Sequence, residues 1–285
     1  MIGSLQTGVS GLQQFQEDLE VIGNNIANVN TVGYKSATMQ FADTFSDSFG
    51  DTGGGASRQV GTGVTSSAID SDFTQGAIND SGTKTNLAVS GNGFFVVKDP
   101  TSSVSYVTRD GTFKLDTNGY LVTASGDRVQ GYTGTAPFSS ASTIGDLQIT
   151  AANAISSLGD TTTPPPTLDP NWSIDPAGQI NVKLSDGTSG IIGQVVLQNF
   201  SNPQALQKQG NNLFTFTADA GPLGAAAAPN TNGLGTIQAG ALESSNVDLA
   251  GQMAAMITAQ RAFEANAKIV TTSDEVLQDL INLKR

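Results

Sequence analysis

The chain has 285 residues, 38% of them hydrophobic and 13% charged, with no cysteine, no histidine and a formal net charge of −12. Without cysteine and histidine there are no thiol nucleophiles, disulfides, Cys/His zinc sites, histidine triads or histidine general bases, which leaves carboxylate, Lys, Tyr or Ser/Lys chemistry. The acidic balance, with 13 scattered Lys and Arg, argues against a nucleic-acid partner and against anionic membranes.

Ser4 to about Asn28 reads as the first helix. Leu5, Leu12, Leu19 and Ile26 recur every seven residues, Phe15 and Ile22 follow two of them by three, and Val9 and Val21 stand off that seam. Such a repeat gathers its apolar residues into one narrow stripe that another helix has to cover. Asn24, Asn25, Asn28 and Asn30 collect at its end, where Gly33 can supply a left-handed turn. Glycines at 3, 8, 11 and 23 each lower intrinsic helicity by about 1 kcal/mol relative to Ala. The helix therefore depends on packing for its order. This stretch lacks the basic and continuous apolar regions of a secretory signal, and no window approaches ~18 consecutive apolar residues. Taken alone, these features favour a cytoplasmic protein without membrane insertion.

Tyr34 to Phe49 is either extended or a short helix, since its periodicity does not separate the two. Gly50 to Ser57 contains three consecutive glycines and little to bury, and reads as a loop or hinge. From Val60 to Tyr132 short apolar runs alternate with Asn92-Gly93, Asp110-Gly111, Asn118-Gly119 and Ser125-Gly126. The runs are Leu87–Val89, Phe94–Val97, Tyr106–Thr108, Thr112–Leu115, Tyr120–Val122 and Arg128–Gln130. Dipeptides of that kind suit tight hairpins, so this region is an antiparallel meander or small barrel. Residues 133–175 are less regular, with Pro164–Pro166 and Pro170 marking a polar linker or surface loop. Strand signals return at Trp172–Ile174, Gln179–Val182 and Ile191–Phe200. Ala218 to Asn232 is a second loop, and Thr236–Leu242 leads into the last helix.

That helix begins near Ser244-Ser245-Asn246, with Asn246 or Ser245 as cap and Asp248 in its first turn. Leu249, Met253, Met256, Phe263, Ala267, Val270, Leu277 and Ile281 keep a 4,3 spacing that only Gln260 and Asp274 interrupt, and Glu264 and Lys268 form an i,i+4 pair. If the two terminal helices paired only with each other, Val9, Val21, Ile257, Ile269 and Leu280 would stay wet. Packing between subunits is favoured for that reason.

Motifs for chemistry are weak. Paired carboxylates run glycosidic chemistry without histidine, and Asp70 with Asp72 or Asp110 with Asp116 are the candidates. Turn formation explains Asp110 and Asp116 better. Gly61-Thr-Gly63 and Gly91-Asn-Gly93 lack the rest of a dinucleotide fingerprint, and Asp70-Ser-Asp72 lacks the rest of a calcium loop. Trp172 and the tyrosines are better read as buried than as a carbohydrate platform. No catalytic, cofactor-binding or metal-binding residue is expected, and no cofactor.

The termini resemble a known family. Val21-Ile-Gly-Asn-Asn-Ile-Ala-Asn28 followed by Gly33-Tyr34-Lys35 is similar to the N-terminal signature of the bacterial flagellar rod and hook proteins. Asn86–Phe95, Arg109–Phe113, Asn118–Val122 and Asn211–Phe214 resemble the family's central motifs, while Gly240–Leu249 and Gln260–Lys268 resemble its C-terminal signature. Phe41–Phe45, Val60–Val64, Phe73–Gly76 and Ala265–Ile269 look most like the hook branch. The short interval from Tyr132 to Trp172 and the opening Met1–Leu5 look like the distal rod, which stands as the alternative. A secreted carbohydrate-active β protein is the remote alternative.

The resemblance implies a mainly β fold with terminal α-helices and discontinuous domains. Residues 1–28 and 244–285 would form the helical assembly domain as a coiled-coil inner layer. Residues 29–70 and 233–243 would be a connecting segment, and 71–232 the central antiparallel β domain with an irregular insertion at about 133–175. It implies a non-enzymatic subunit that polymerises helically into a tube, transmits torque from motor to filament and encloses the export channel. For a hook, sliding outer domains would permit bending, with compliance expected at residues 50–57. The implied assembly residues are Leu5, Val9, Leu12, Phe15, Leu19, Ile22, Ile26, Leu249, Met253, Met256, Phe263, Ala267, Val270, Leu277 and Ile281. The implied partners are copies of itself, other rod, hook-cap and hook-filament junction proteins, and the type III export apparatus. Export by that route needs no cleaved signal, which moves the expected location to the flagellar hook or basal body, outside the cell.

Overall fold

The computed structural model describes residues 2–52, 56–134, 138, 143–158, 167 and 171–283. Gly53 to Gly55 at the centre of the expected hinge, and the prolines at 164–166 and 170, lie outside the described residues. The chain divides into two compact units, Met1–Val29 with Lys35–Asp72 and Val247–Arg285, and Asn30–Tyr34 with Phe73–Asn246.

In the first unit the N-terminal helix, Ile2–Ala27, and the C-terminal helix, Leu249–Leu283, run antiparallel. Direction and register follow from three contacts. Ser4 Oγ lies 3.5 Å from Ser273 Oγ, Gly8 and Gly11 abut Val270 and Asn266, and Asn25 Nδ2 donates to Gln252 Oε1 at 3.2 Å. Small residues are buried on both helices: Gly8 and Gly11 on one, and Ala259 on the other. A methyl group at Gly11 would stand 2.9 Å from Asn266 Oδ1, and one at Gly8 3.1 Å from Val270 Cγ2. The glycines that weaken the isolated helix are thus what lets the two backbones approach.

The C-terminal helix starts later than expected and uses a different cap. Asp248 Oδ1 accepts the Ala250 N–H at 3.1 Å, and the Asp248 carbonyl accepts the Gln252 N–H at 2.9 Å. The expected cap Asn246 instead donates through Nδ2 to Thr74 Oγ1 at 3.0 Å.

Strands β1 (Ala37–Asp43), β2 (Ser46–Thr52), β3 (Ala56–Gly61) and β4 (Val64–Ser71) pair antiparallel, β1 with β4 and β2 with β3. Thr44 N–H to Gly63 O at 3.0 Å and Thr62 N–H to Phe45 O at 3.2 Å carry the ladder across the junction. Tyr34–Phe49 is thereby resolved in favour of extended chain. Asp51-Thr52 and Ala56-Ser57 of the expected loop are paired strand, with Gly50 at a register shift, because cross-strand hydrogen bonds override the local composition.

The second unit is the β body. Its strands are β5 (Ile78–Asp80), β6 (Leu87–Ser90), β7 (Phe94–Lys98), β8 (Ser105–Thr108), β9 (Lys114–Leu115), β10 (Leu121–Val122), β11 (Arg128–Thr133) and β12 (Ile144–Asp146). They continue with β13 (Ser173–Ile174), β14 (Gln179–Lys183), β15 (Ser189–Val195), β16 (Leu197–Gln198), β17 (Gln207–Gly210), β18 (Leu213–Thr215), β19 (Thr236–Ala239) and β20 (Ala241–Glu243). The main antiparallel sheet follows the path β13-β14-β15-β11-β7-β8-β18-β17, and β6 pairs with β19 and β5 with β20. Between residues 133 and 175, expected to be irregular, stand β12 and a helix, Ala151–Leu158, whose Ala154 is buried.

The run Phe94-Phe95-Val96-Val97 is continuous because β7 is covered on both faces. Phe95 and Val97 join one core with Leu87, Phe113, Leu121 and Val129; Phe94 and Val96 pack into another with Val107, Phe200 and Phe214. Trp172 lies in the first core, 8% exposed. Gly111 keeps a negative φ, unlike the other turn glycines, but a Cβ there would lie 1.6 Å from Leu87 O, so no side chain fits. The fold is mainly β with a helix near each end.

Candidate assembly surface

The heptad residues fall into three groups. Ile22 is buried. Leu5, Leu12, Phe15, Leu19, Ile26, Met256, Ala267, Val270 and Leu277 are half-buried. Val9, Leu249, Met253, Phe263 and Ile281 are exposed, up to 67% at Ile281. Of the residues off the seam, Val21 is half-buried, and Ile257, Ile269 and Leu280 are exposed.

Gly8 and Gly11 let the backbone close on Val270 and Asn266, Ile22 is buried, and the other larger apolar side chains lie at the margins or outside. On the C-terminal helix, Leu249, Met253 and Ile257 step by four along one flank of the first half. Ile269, Val276, Leu280 and Leu283 step by seven, four and three along the opposite flank of the second half, as the 3.6-residue period places them relative to Ala259 and Val270. Val9 adds a further exposed apolar residue on the N-terminal helix, and Phe45, 94% exposed, projects from the strand pair. Taking such a side chain from full exposure to full burial is worth about 1.5–3 kcal/mol, and those already half covered would gain about half of that against a partner.

Two polar features escaped sequence reading. Asn25, taken as part of a helix terminus, is 1% exposed and grips β1: Oδ1 accepts the Ala37 N–H at 2.9 Å and Nδ2 donates to Ala37 O at 2.7 Å. An asparagine two residues before a helix end gives no local sign of a strand partner twelve residues on. In the β body, Glu243 is fully buried. Its Oε2 lies 3.3 Å from Arg109 Nη1, its Oε1 accepts the Gly76 N–H at 3.0 Å, and its carbonyl accepts the Gly33 N–H at 2.8 Å. Arg109 also donates from Nη2 to Gly91 O at 2.9 Å and stacks 5.1 Å over the Phe94 ring. Burial pulls the Arg109 guanidinium below its ordinary pKa, against the opposing pull of Glu243. The pair ties five separated stretches of chain to one point, at Gly33, Gly76, Gly91, Arg109 and Glu243. Only the Arg109-Asp-Gly and Leu-Glu243-Ser motifs hinted at it.

The carboxylates proposed for chemistry are structural. Asp110 Oδ1 accepts from Thr112 N at 2.9 Å and Thr112 Oγ1 at 2.7 Å, and Asp116 closes its own turn through Thr117 N at 2.7 Å and Gly119 N at 2.8 Å. Asp70 sits opposite Thr38 in the β1–β4 ladder. Among the described residues no group of three or more acidic side chains is placed to hold a metal ion, and no helix is long and apolar enough to cross a membrane.

Helices that leave many larger apolar residues exposed, in a chain whose candidate carboxylates close turns, have the character of a structural subunit. Three family descriptions match the chain: "Flagella basal body rod protein" over residues 5–35, "Flagellar hook protein FlgE/F/G D1 domain" over 88–182, and "Flagellar basal body rod FlgEFG protein C-terminal" over 238–283. The flagellar basal-body rod protein FlgG of Bacillus subtilis is 38% identical over 292 residues, covering 100% of both chains. FlgG of Borreliella burgdorferi is 33% identical over 294 residues, again 100% of both. The flagellar hook protein FlgE of the same organism is 28% identical over 444 residues, also 100% of both. The chain belongs to the flagellar basal-body rod and hook protein family. It is a structural component of the bacterial flagellum and not an enzyme, which removes the carbohydrate-active alternative.

Proposed function

We propose that the chain is a subunit of the distal rod, the stiff shaft of the basal body, and not of the hook. The observation that carries this is one of length. The FlgG relatives align end to end over 292 and 294 residues, whereas alignment with the hook relative runs to 444, far beyond this chain's 285. The hook relative therefore holds long segments without a counterpart here. Between β11 and β13 the described residues supply only β12 and one short helix, too little for a separate outer domain.

In this reading residues 1–28 and 244–285 assemble into the inner wall around the export channel, residues 29–70 and 233–243 connect, and 71–232 form the outer β layer. The heptad residues from Leu5 to Ile26 and from Leu249 to Ile281 make the seam and its contacts with neighbouring copies. Contacts between unlike patches do not close and so generate a filament. A seam of close-packed backbones, with strands paired beside it, suits rigid transmission of torque. The partners are further copies of the chain and the adjoining rod and hook proteins, reached by type III export without a cleaved signal. Imaging basal bodies from a strain lacking this gene tests the reading: truncated rods are expected, and complete rods without hooks would return the assignment to the hook.

A further inference from the structure

The unit built on the two helices carries its charge unevenly. Along Ile2–Ala27 the N-terminal helix has Glu17, Asp18 and Glu20 and no Lys or Arg. Glu17 and Glu20, three residues apart, are exposed on one face. Asp18 is half-buried, and burial pushes its carboxyl above the usual range. Along Leu249–Leu283 the cations are Arg261 and Lys268, both exposed, seven residues apart and so on one face. Among the described residues, none of Glu17, Glu20, Arg261 and Lys268 has an ion-pair partner within 4.0 Å. Even Glu264, one turn before Lys268, does not pair with it.

The antiparallel register sets Asn25 beside Gln252 and Gly11 beside Asn266. Arg261 therefore stands level with the turn that carries Glu17 and Glu20. Their exposed faces point away from the shared seam, so the charges do not meet within one chain. Lys268 stands level with Val9, so a second copy displaced sideways and slid by about 9 Å along the helix axis centres the basic pair of one against the acidic pair of the next.

We infer that the Glu17/Glu20 face of one copy docks on the Arg261/Lys268 face of its neighbour. This rests on the polymer reading above and specifies the lateral contact within it. The patches differ, so each copy offers one of each, and the contact is heterologous and open-ended. Ile257, exposed beside the basic pair, would be covered by the same contact and would exclude water from it. Ion pairs are worth more in such surroundings than on an open surface. A net charge of −12 repels like copies, which makes the placement of the few cations decisive.

The test uses the full-length chain, with polymer measured by sedimentation against protein concentration and folding checked by circular dichroism. Glu17→Lys with Glu20→Lys, and separately Arg261→Glu with Lys268→Glu, are each expected to raise the concentration needed for polymer roughly tenfold or more. An equimolar mixture of the two variants should recover to within about threefold of the unmodified chain, because copies with both docking patches basic alternate with copies with both patches acidic. Polymer formation by either reversal alone at the unmodified concentration, or a mixture that stays monomeric, overturns the inference. Should a reversal lose helical signal, Glu17→Gln with Glu20→Gln and Arg261→Gln with Lys268→Gln replace it, with a rise of about threefold expected and no change counting against the contact. If the unmodified chain forms no polymer at any concentration, the polymer reading itself fails.

Discussion

Replacing Glu243 with Ala should destabilise the β body more than any other single change to a charged residue. The carboxylate is fully buried and holds Arg109 at 3.3 Å and the Gly76 N–H at 3.0 Å. Removing it strands a guanidinium that is 4% exposed and whose Nε already lacks a hydrogen-bond partner, together with one backbone donor. Breaking a buried pair in this way costs about 3–5 kcal/mol, because the remaining charge stays desolvated. For a unit of this size each kcal/mol lowers Tm by roughly 2–4 °C, so a fall of about 6–20 °C is expected. Glu243→Gln retains an acceptor for Gly76 and should lose roughly half as much. Arg109→Met combined with Glu243→Leu removes both charges and should recover most of the loss. Scanning calorimetry of the full chain under monomeric conditions reads all three. A fall below about 2 °C for Glu243→Ala, or a double variant worse than the single, would refute the clasp.

Other expectations concern the helices and the acids. Gly11→Leu should separate the helical pair, since even a methyl group there meets Asn266 at 2.9 Å, and circular dichroism should show lost helix. Gly23→Ala, where an added Cβ meets nothing within 4 Å, should instead stabilise the N-terminal helix by about 1 kcal/mol in thermal melts. Burial raises the Asp18 carboxyl, so its protonated form favours the folded state; stability from this group is present at low pH and lost as pH rises through the raised value. Asp18→Asn should therefore stabilise the neutral protein, by less than about 1 kcal/mol because the group is partly solvated, in urea titrations. Asp146 behaves oppositely. Burial raises it, but hydrogen bonds from Gln130 and Arg128 and the charges of Arg128 and Lys98 hold it below the ordinary carboxylate range. Its contribution is present above the unfolded value and lost as pH falls through the lowered one, so Asp146→Asn should flatten that acid limb.

The β body was legible because its signals are local. Asn118-Gly119 and Ser125-Gly126 close the β9–β10 and β10–β11 hairpins, with Gly119 and Gly126 at the positive φ those turns need, whereas Asn92-Gly93 and Asp110-Gly111 join strands that pair elsewhere. The helices were legible as helices, but their seam was only partly so. Heptad reading weights large residues, and here close approaches are made by Gly8 and Gly11 against Val270 and Asn266, a pattern visible only when small residues are tracked as well. At the ends of the glycine-rich segment, Asp51-Thr52 and Ala56-Ser57 were missed for the complementary reason: local composition says nothing of the partner strand. Asn25 and Glu243 were illegible because their partners lie twelve and more than a hundred residues away.

The central claim is that apolar residues turned outward from the terminal helices are the assembly device. Electron microscopy and sedimentation of the purified full-length chain, compared with a Leu249→Gln, Met253→Gln, Ile257→Gln variant, test it directly. The exposed side chains, 40–54% accessible, contribute little to the fold, so the variant should melt as the unmodified chain does yet remain monomeric where the unmodified chain forms tubes. Tubes of normal length from a fully folded variant would contradict the claim.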